Sequence, residues 1–357
     1  MSPEVSAAVG FVVAGVATFF AAPLVIRAAA RWGFYDHPRG YHQHSVPTPL
    51  LGGTAVMAGF VLAAIVLNPD GRLLALIACA VGLWLLGTLD DRTPVAPVWR
   101  LLAETAAALT LVLVGLGWRM YGGDGSHTVL TVVWVVGVIN AFNLMDNLDG
   151  ACATVAAVSS AGIGALALIH GEAAVGALAF SLAGACVAFL RFNLASPARI
   201  FLGDGGSMPI GLLVAGLAMA ATRRLGAGDA NLLAAALLVG VVILDTALVT
   251  VSRTRRGVTI VTGGRDHLTH RLLLALRSPR TVAMTLAVVQ AVLCGIAIAG
   301  EGLGAAALAI LALATTLLGL LAIAVLDTSR LRPPGVAAGA TRARSDRAAG
   351  LAQVDRR

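Results

Sequence analysis

The sequence predicts an all-α fold, a polytopic transmembrane bundle of about eleven helices, with its amino terminus outside and its carboxyl terminus cytoplasmic. Three observations predict it. Of 357 residues, 58% are hydrophobic and only 12% charged, where an average soluble domain carries roughly a quarter charged. Mean hydropathy is +0.89. Apolar stretches long enough to cross about 30 Å of hydrocarbon as helices recur along nearly the whole chain, which argues for one membrane domain, 1–326. The tail, 327–357, holds Pro333-Pro334 and then Arg, Ala, Gly and Ser, and is expected to be disordered and solvated.

The expected spans are 5–26, 50–68, 73–89, 99–117, 128–145, 151–169, 173–190, 205–222, 231–252, 281–300 and 303–326. The first lacks a basic leader and a small-residue cleavage pattern, so it reads as a retained helix. The second follows a segment rich in Pro and Gly that runs from Asp36 to Gly53, and the third runs into Asp90-Asp91-Arg92. The fifth closes an apolar run, Thr128 to Ile139, with Asn140-Ala-Phe-Asn143-Leu-Met-Asp146-Asn147-Leu-Asp149-Gly150, where the chain turns into the sixth. The eighth opens at a glycine turn, with Ser207 as a candidate cap. The ninth encloses Asp245, which is expected to pair with an Arg of the same bundle. Cys79, Cys152, Cys186 and Cys294 lie in or beside apolar segments without C-x-x-C spacing and read as small buried hydrophobes.

All 25 basic residues are Arg. Under this count only Arg72, Arg119, Arg223 and Arg224 fall on one side of the bilayer; Arg100, Arg253, Arg255, Arg256 and the rest share the other, which the positive-inside rule makes cytoplasmic. The net charge of +7 is therefore topological. Nucleic acid is excluded as a partner, because the arginines flank apolar helices and no nucleic-acid-binding fold is visible.

Every unusual polar motif lands on that cytoplasmic side. Asp90, Asp91, Asp146, Asp149 and Asp204 would together cost on the order of 15 kcal/mol if buried unpaired at mid-membrane. They must face a polar cavity, pair with Arg or neutralise a cation, and a hard divalent ion with oxygen ligands, Mg2+ above all, suits converging carboxylates. Asn143, Asp146 and Asn147 lie at i, i+3 and i+4 on one helical face, with Asn140 adjoining, either as a substrate amide or as a helix–helix contact. Gly203, Gly205 and Gly206 let main-chain N–H groups approach an anion beside Asp204. In the long loop before the tenth span, His267 and His270 can bind phosphate, transfer a proton or ligate a metal, with phosphate the preferred reading; no zinc-type spacing accompanies them.

Taken in order, these motifs resemble the polyprenyl-phosphate N-acetylhexosamine-1-phosphate transferases. The resemblance rests on Asp36, Pro38, Pro47, Pro49, Gly52 and Gly53; on Asp90 and Asp91; on Asn140, Asn143, Asp146, Asp149 and Gly150; on Phe201, Gly203, Asp204, Gly206 and Ser207; and on Asp266, His267, Thr269, His270, Arg271 and Leu272. It departs from the common pattern at Tyr41-His42-Gln43-His44, at Pro94 in place of a third acid, at Thr269 in place of a middle histidine and at Asn147 in place of Gly.

The resemblance implies a transferase of a bacterial plasma membrane that moves an N-acetylhexosamine-1-phosphate, GlcNAc-1-phosphate first, from a UDP-amino sugar to a polyprenyl phosphate and releases UMP. It implies Mg2+, with Mn2+ as a substitute, held by Asp204 and Asp91, and catalytic roles for Asp90, Asp91, Asp204 and His267. Asn140, Asn143, Asp146, Asp149, Phe201, His270 and Arg271 are then the substrate-binding set. The alternatives are a phospho-MurNAc-pentapeptide translocase and, from another class, a cation-coupled transporter. Nothing in the sequence decides for or against a homodimer.

Overall fold

The computed structural model describes residues 1–36, 47–118, 124–223, 228–259 and 264–328. Its helices are α1 (Pro3–Trp32), α2 (Gly52–Leu67), α3 (Gly71–Arg92), α4 (Pro97–Leu113), α5 (Asp124–Met145), α6 (Ala151–Ile169), α7 (Ala173–Asn193), α8 (Asp204–Thr222), α9 (Gly228–Leu238), α10 (Gly240–Arg256), α11 (Leu268–Leu276), α12 (Pro279–Leu303) and α13 (Ala305–Leu326). One addition to the expected all-α fold is a two-residue antiparallel ladder, β1 (Tyr35–Asp36) against β2 (Thr48–Pro49).

Helix starts follow local chemistry. Ser2 accepts from the Val5 N–H with Pro3 in the first turn of α1, Asp70 accepts from the N–H groups of Arg72 and Leu73 at α3, and Pro97 and Pro279 open α4 and α12. Ten of the eleven expected spans each lie largely on one helix and the ninth on two, but fewer than eleven qualify as membrane crossings. Eight helices among the described residues are long and apolar enough to cross a membrane, nine if α9 and α10 count as one span. With 16 residues, α2 reaches about 24 Å at 1.5 Å per residue, short of the hydrocarbon thickness; α4 has 17.

The ninth span is a correction to the expected continuous helix: α9 and α10 meet at an 83° bend. No proline causes it. Gln290 of α12 donates to the carbonyls of Leu237 and Leu238 and accepts from the Val241 N–H, so the backbone groups freed by the break are satisfied inside the protein.

At the centre stands α8, whose apolar stretch is wholly buried and which packs against α2, α3, α5, α6, α7 and α9. The outer helix α13 instead exposes Ile310, Leu313, Leu317 and Leu321, the side chains expected to meet lipid. Cys152, Cys186 and Cys294 are buried and Cys79 half-buried, all as free thiols. The folded body includes Asp327, which is buried and accepts from Ser252 Oγ at 2.7 Å; the rest of the tail lies outside the described residues, bar Thr328.

Candidate active site

The first turn of α8 begins the site. Gly203 stands before it at φ 74°, a left-handed conformation that a side chain would strain. Residues 49–53 run beside it, with Phe201 N–H donating to the Pro49 carbonyl at 2.8 Å and the N–H groups of Gly52 and Gly53 donating to the carbonyls of Phe201 and Leu202 at 2.9 Å. Glycines facing this turn are needed for closeness: a methyl at Gly53 would lie 2.3 Å from the Gly205 carbonyl carbon, and one at Gly87 of α3 2.3 Å from the Asp204 carbonyl oxygen.

Two acids hold this turn through its backbone. Asp91, at the end of α3, accepts from the N–H of Asp204 at 2.8 Å and of Gly205 at 3.0 Å, and Asp146 accepts from the Gly203 N–H at 3.2 Å. They supply the acceptors that the N-terminus of α8 wants. Ser207, expected as the cap, instead lies buried one turn in and receives the Asn143 amide at 3.0 Å. Burial first, and then the neighbouring charges of Asp204 and Asp91, push the Asp146 carboxyl well above the usual carboxylate range.

The open side of the cluster is closed by a cation the sequence reading passed over. Arg100, in the first turn of α4, donates through Nη1 to Asp90 at 2.7 Å and to Asp204 at 3.0 Å, and through Nη2 to the side-chain amide oxygen of Asn143 at 3.0 Å. Asn143 completes the ring by donating to Asp204 at 2.7 Å. The second oxygen of Asp90 takes the Val95 N–H at 2.6 Å, in the turn where Pro94 replaces an acid. Of the two acids bound to Arg100, Asp204 is the accessible one, with 29% of its side chain exposed against 8% for Asp90.

Asn140 sits a turn deeper and points across to α4. Its amide donates to Glu104 at 2.6 Å and to the Val136 carbonyl, so the structure shows the helix–helix contact for this residue. Asp149 follows in the turn before α6, whose Gly150 N–H is anchored on Asn193 at 2.6 Å. Asn147 accepts from the hydroxyl of Thr269, which joins this turn to the histidine helix, so two of the departures from the common pattern are bonded to each other.

The histidine helix α11 is hydrogen-bonded to α10. Asp245 accepts from the Leu268 N–H at 2.6 Å and pairs with Nδ1 of His267 at 2.8 Å; its expected Arg partner is thus corrected to a histidine. Asp266 takes Arg253 in a two-pronged contact at 2.8 and 2.9 Å, and Arg256 as well. Arg271, expected at the substrate, is fully buried: it donates to the Leu326 and Asp266 carbonyls, to Ser252 at 2.9 Å and to Asp327 at 3.4 Å.

These environments set acid sensitivity. Desolvation, then the charges of His267 and Arg265, lowers His270 to about 4 from its ordinary 6.5. Burial alone would raise Asp266, yet the hydrogen bonds and charge of Arg253, with Arg256, bring it to about 2. The unfolded chain binds more protons than the fold wherever a folded value is depressed, so stability rises with pH there. The His270 contribution is full above pH 6.5 and is lost as pH falls to about 4; that of Asp266 is full above about 4 and is lost towards 2. Thermal unfolding in detergent should show both declines, and His270→Gln should remove the upper one alone.

Comparison with known proteins agrees with the geometry. The family model described as glycosyl transferase family 4 matches residues 73–222, which span α3 to α8. The decaprenyl-phosphate N-acetylglucosaminephosphotransferase of Mycobacterium tuberculosis is 32% identical over 310 residues, 76% of this chain and 76% of the relative. The chain belongs to glycosyl transferase family 4. Other relatives include the undecaprenyl-phosphate alpha-N-acetylglucosaminyl 1-phosphate transferases of Yersinia pestis, 28% identical over 78% of this chain and 80% of the relative, and of Escherichia coli, 26% identical over 77% and 78%. This family 4 member is therefore a multi-pass membrane transferase with bacterial relatives, as the motifs led one to expect.

The structure of this family 4 protein brings together Asp90, Asp91, Asn143, Asp146 and Asp204, with Phe201 beside them on the same loop, and leaves Asn140 and Arg271 in contacts within the protein. Tyr41 to His44 and Pro38 lie outside the described residues. Two polar residues escaped the sequence reading. Glu104 is a buried acid within the expected span 99–117, and that position was its signal; Arg100 was hidden among arginines that also mark topology.

Among the described residues no three His, Cys, Asp or Glu side chains are arranged as a metal cage. The donor chemistry nevertheless fits a hard divalent ion. Every acid here is held by N–H groups, each carboxylate oxygen accepting one such bond keeps a second lone pair, and Asp204 is open to solvent.

Proposed function

We propose that this protein transfers an N-acetylhexosamine-1-phosphate, GlcNAc-1-phosphate first, from its UDP-sugar to a polyprenyl phosphate at the cytoplasmic face of a bacterial plasma membrane. A lipid phosphate oxygen attacks the β-phosphorus, the bond to the bridging oxygen breaks, and that oxygen leaves with UMP. The product is a lipid-linked diphosphate sugar, the first membrane intermediate of a cell-envelope polysaccharide. The single observation that carries this reading is the gathering of four carboxylates at the start of the central helix, Asp91 and Asp146 on its backbone N–H groups and Asp90 and Asp204 on Arg100. Relatives whose printed names specify polyprenyl phosphates and N-acetylglucosamine support it.

Phosphoryl transfer is catalysed mainly by positioning and charge neutralisation. Mg2+, or Mn2+ in its place, would be held by Asp204 with Asp91 near, and would neutralise the diphosphate as charge builds on the leaving UMP. Asp91 and Asp146 keep the Gly203–Gly205 backbone rigid, so that Asp204 is presented in one place. Asp90 orients the lipid phosphate; with its oxygens engaged by Val95 and Arg100 it fits that task better than proton uptake, and a phosphate with a second pKa near 6 is already largely ionised. Asn143, Asp149 and Phe201 contact the nucleotide-sugar, and His267 and His270 its diphosphate or sugar. The buried Arg271 is better suited to holding α11 in place.

The test is incubation of the purified protein with polyprenyl phosphate, Mg2+ and a panel of UDP-sugars, with extraction of the lipid product. UMP release with UDP-GlcNAc that requires the lipid phosphate is expected. Absence of lipid-linked sugar from every donor, in protein that is folded, would overturn the reading.

A further inference from the structure

Arg100 is placed where a cation is least at home. It lies in the first turn of α4, at the positive end of that helix's dipole. A basic residue that merely marked topology would extend into the interface. This one turns inward, with 21% of its side chain exposed, and one nitrogen bridges the carboxylates of two different helices, Asp90 of α3 and Asp204 of α8. Its other nitrogen holds Asn143 of α5, the residue that also orients Asp204. A single positive group bonded to two acids and an amide oxygen is the coordination pattern of a cation among hard oxygen donors.

We propose that Arg100 is the counter-cation of the resting site: it occupies the place between Asp90 and Asp204 that a divalent ion would share, and a diphosphate draws it away when substrate enters. This rests on the transferase reading and adds a residue to it. Without a positive group, Asp90 and Asp204 would repel each other across the entrance. With Arg100 there, the carboxylates stay gathered, but an incoming ion must displace charge-assisted hydrogen bonds. The guanidinium has a natural next partner in phosphate oxygens, which it can bind in the same forked manner. The residue is therefore in exchange between protein carboxylates and substrate, and its removal should move ion affinity and turnover in opposite directions. A plain structural pin would lose both together.

The experiment measures Mn2+ binding to the full-length protein in detergent, from the decline of the free-ion electron paramagnetic resonance signal, together with UMP release. Arg100→Gln is expected to bind Mn2+ about tenfold more tightly than wild type, about 1.4 kcal/mol, while turning over about 10²-fold more slowly. Arg100→Lys, which keeps the charge but cannot fork, should fall between the two on both axes and serves if Arg100→Gln does not fold. Mn2+ affinity in the folded variants that equals or falls below wild type would overturn the inference while leaving the transferase reading intact. No Mn2+ binding by wild type, with turnover retained, would instead remove the metal from the transferase reading and this inference with it.

Discussion

Asp204→Asn should fold and yet release UMP about 10³-fold more slowly, the scale on which loss of a preorganised charge at a reacting phosphate is felt. The substitution keeps the shape of the side chain and its place in the turn. Asp91 and Asp146 hold that turn through the N–H groups of Gly203, Asp204 and Gly205, none of which the substitution touches. What changes is the charge on the accessible acid of the ring, and with it the partner of Arg100. Thermal unfolding should therefore stay close to wild type while Mn2+ binding and Mg2+-dependent turnover both fall. Unchanged turnover would remove Asp204 from the reaction.

Arg271→Ala should destabilise the protein by about 1–3 kcal/mol, because buried acceptors lose a donor while Asp327 stays partly compensated by Arg255 at 3.4 Å. Asp327 and Ser252 are both buried and both receive this guanidinium, and the Leu326 carbonyl at the end of α13 loses a donor as well. Asp327→Asn should cost less, and the double substitution should cost less than the sum of the two, because the residues act through one contact. Unfolding midpoints of the four proteins in detergent read this directly. Additive losses, or a stable Arg271→Ala protein whose KM for the UDP-sugar alone has risen, would return Arg271 to the substrate.

The spans were legible because hydropathy over about twenty residues is a coarse signal that side-chain detail does not blur. The break between α9 and α10 was not, since its local mark is one glycine, Gly240, in a chain with 41 of them; Gln290, which satisfies the freed backbone groups, lies some fifty residues further on, and only the packed bundle brings it near. Asp90, Asp91, Asn143, Asp146 and Asp204 stood out because acids and amides at the ends of apolar helices are expensive. Arg100 did not, because an Arg beside a span already has a sufficient explanation in membrane topology. Arg271 was misleading for a related reason: next to histidines a buried structural arginine and a phosphate ligand are spelled alike. Asn140 shows the reverse, where the plainer of two readings, a contact between helices, is the one the fold displays.

The backbone bonds between residues 49–53 and 201–202 carry a consequence for how the enzyme is made. They join segments about 150 residues apart, on either side of six helices, and the carboxylate of Asp91 likewise waits for amides that lie more than a hundred residues later. Contacts so distant in the chain form late, after the loop between them has been closed. A ribosome feeding this protein into a bilayer would release α1 to α7 before the transfer centre could be completed, with only the Asp90–Arg100–Asn143 contacts within reach. Asp91 and Asp146 would meanwhile depend on water and Asp90 on Arg100, so a nascent chain arrested before α8 should be both inactive and the form most open to proteolysis at its membrane edge.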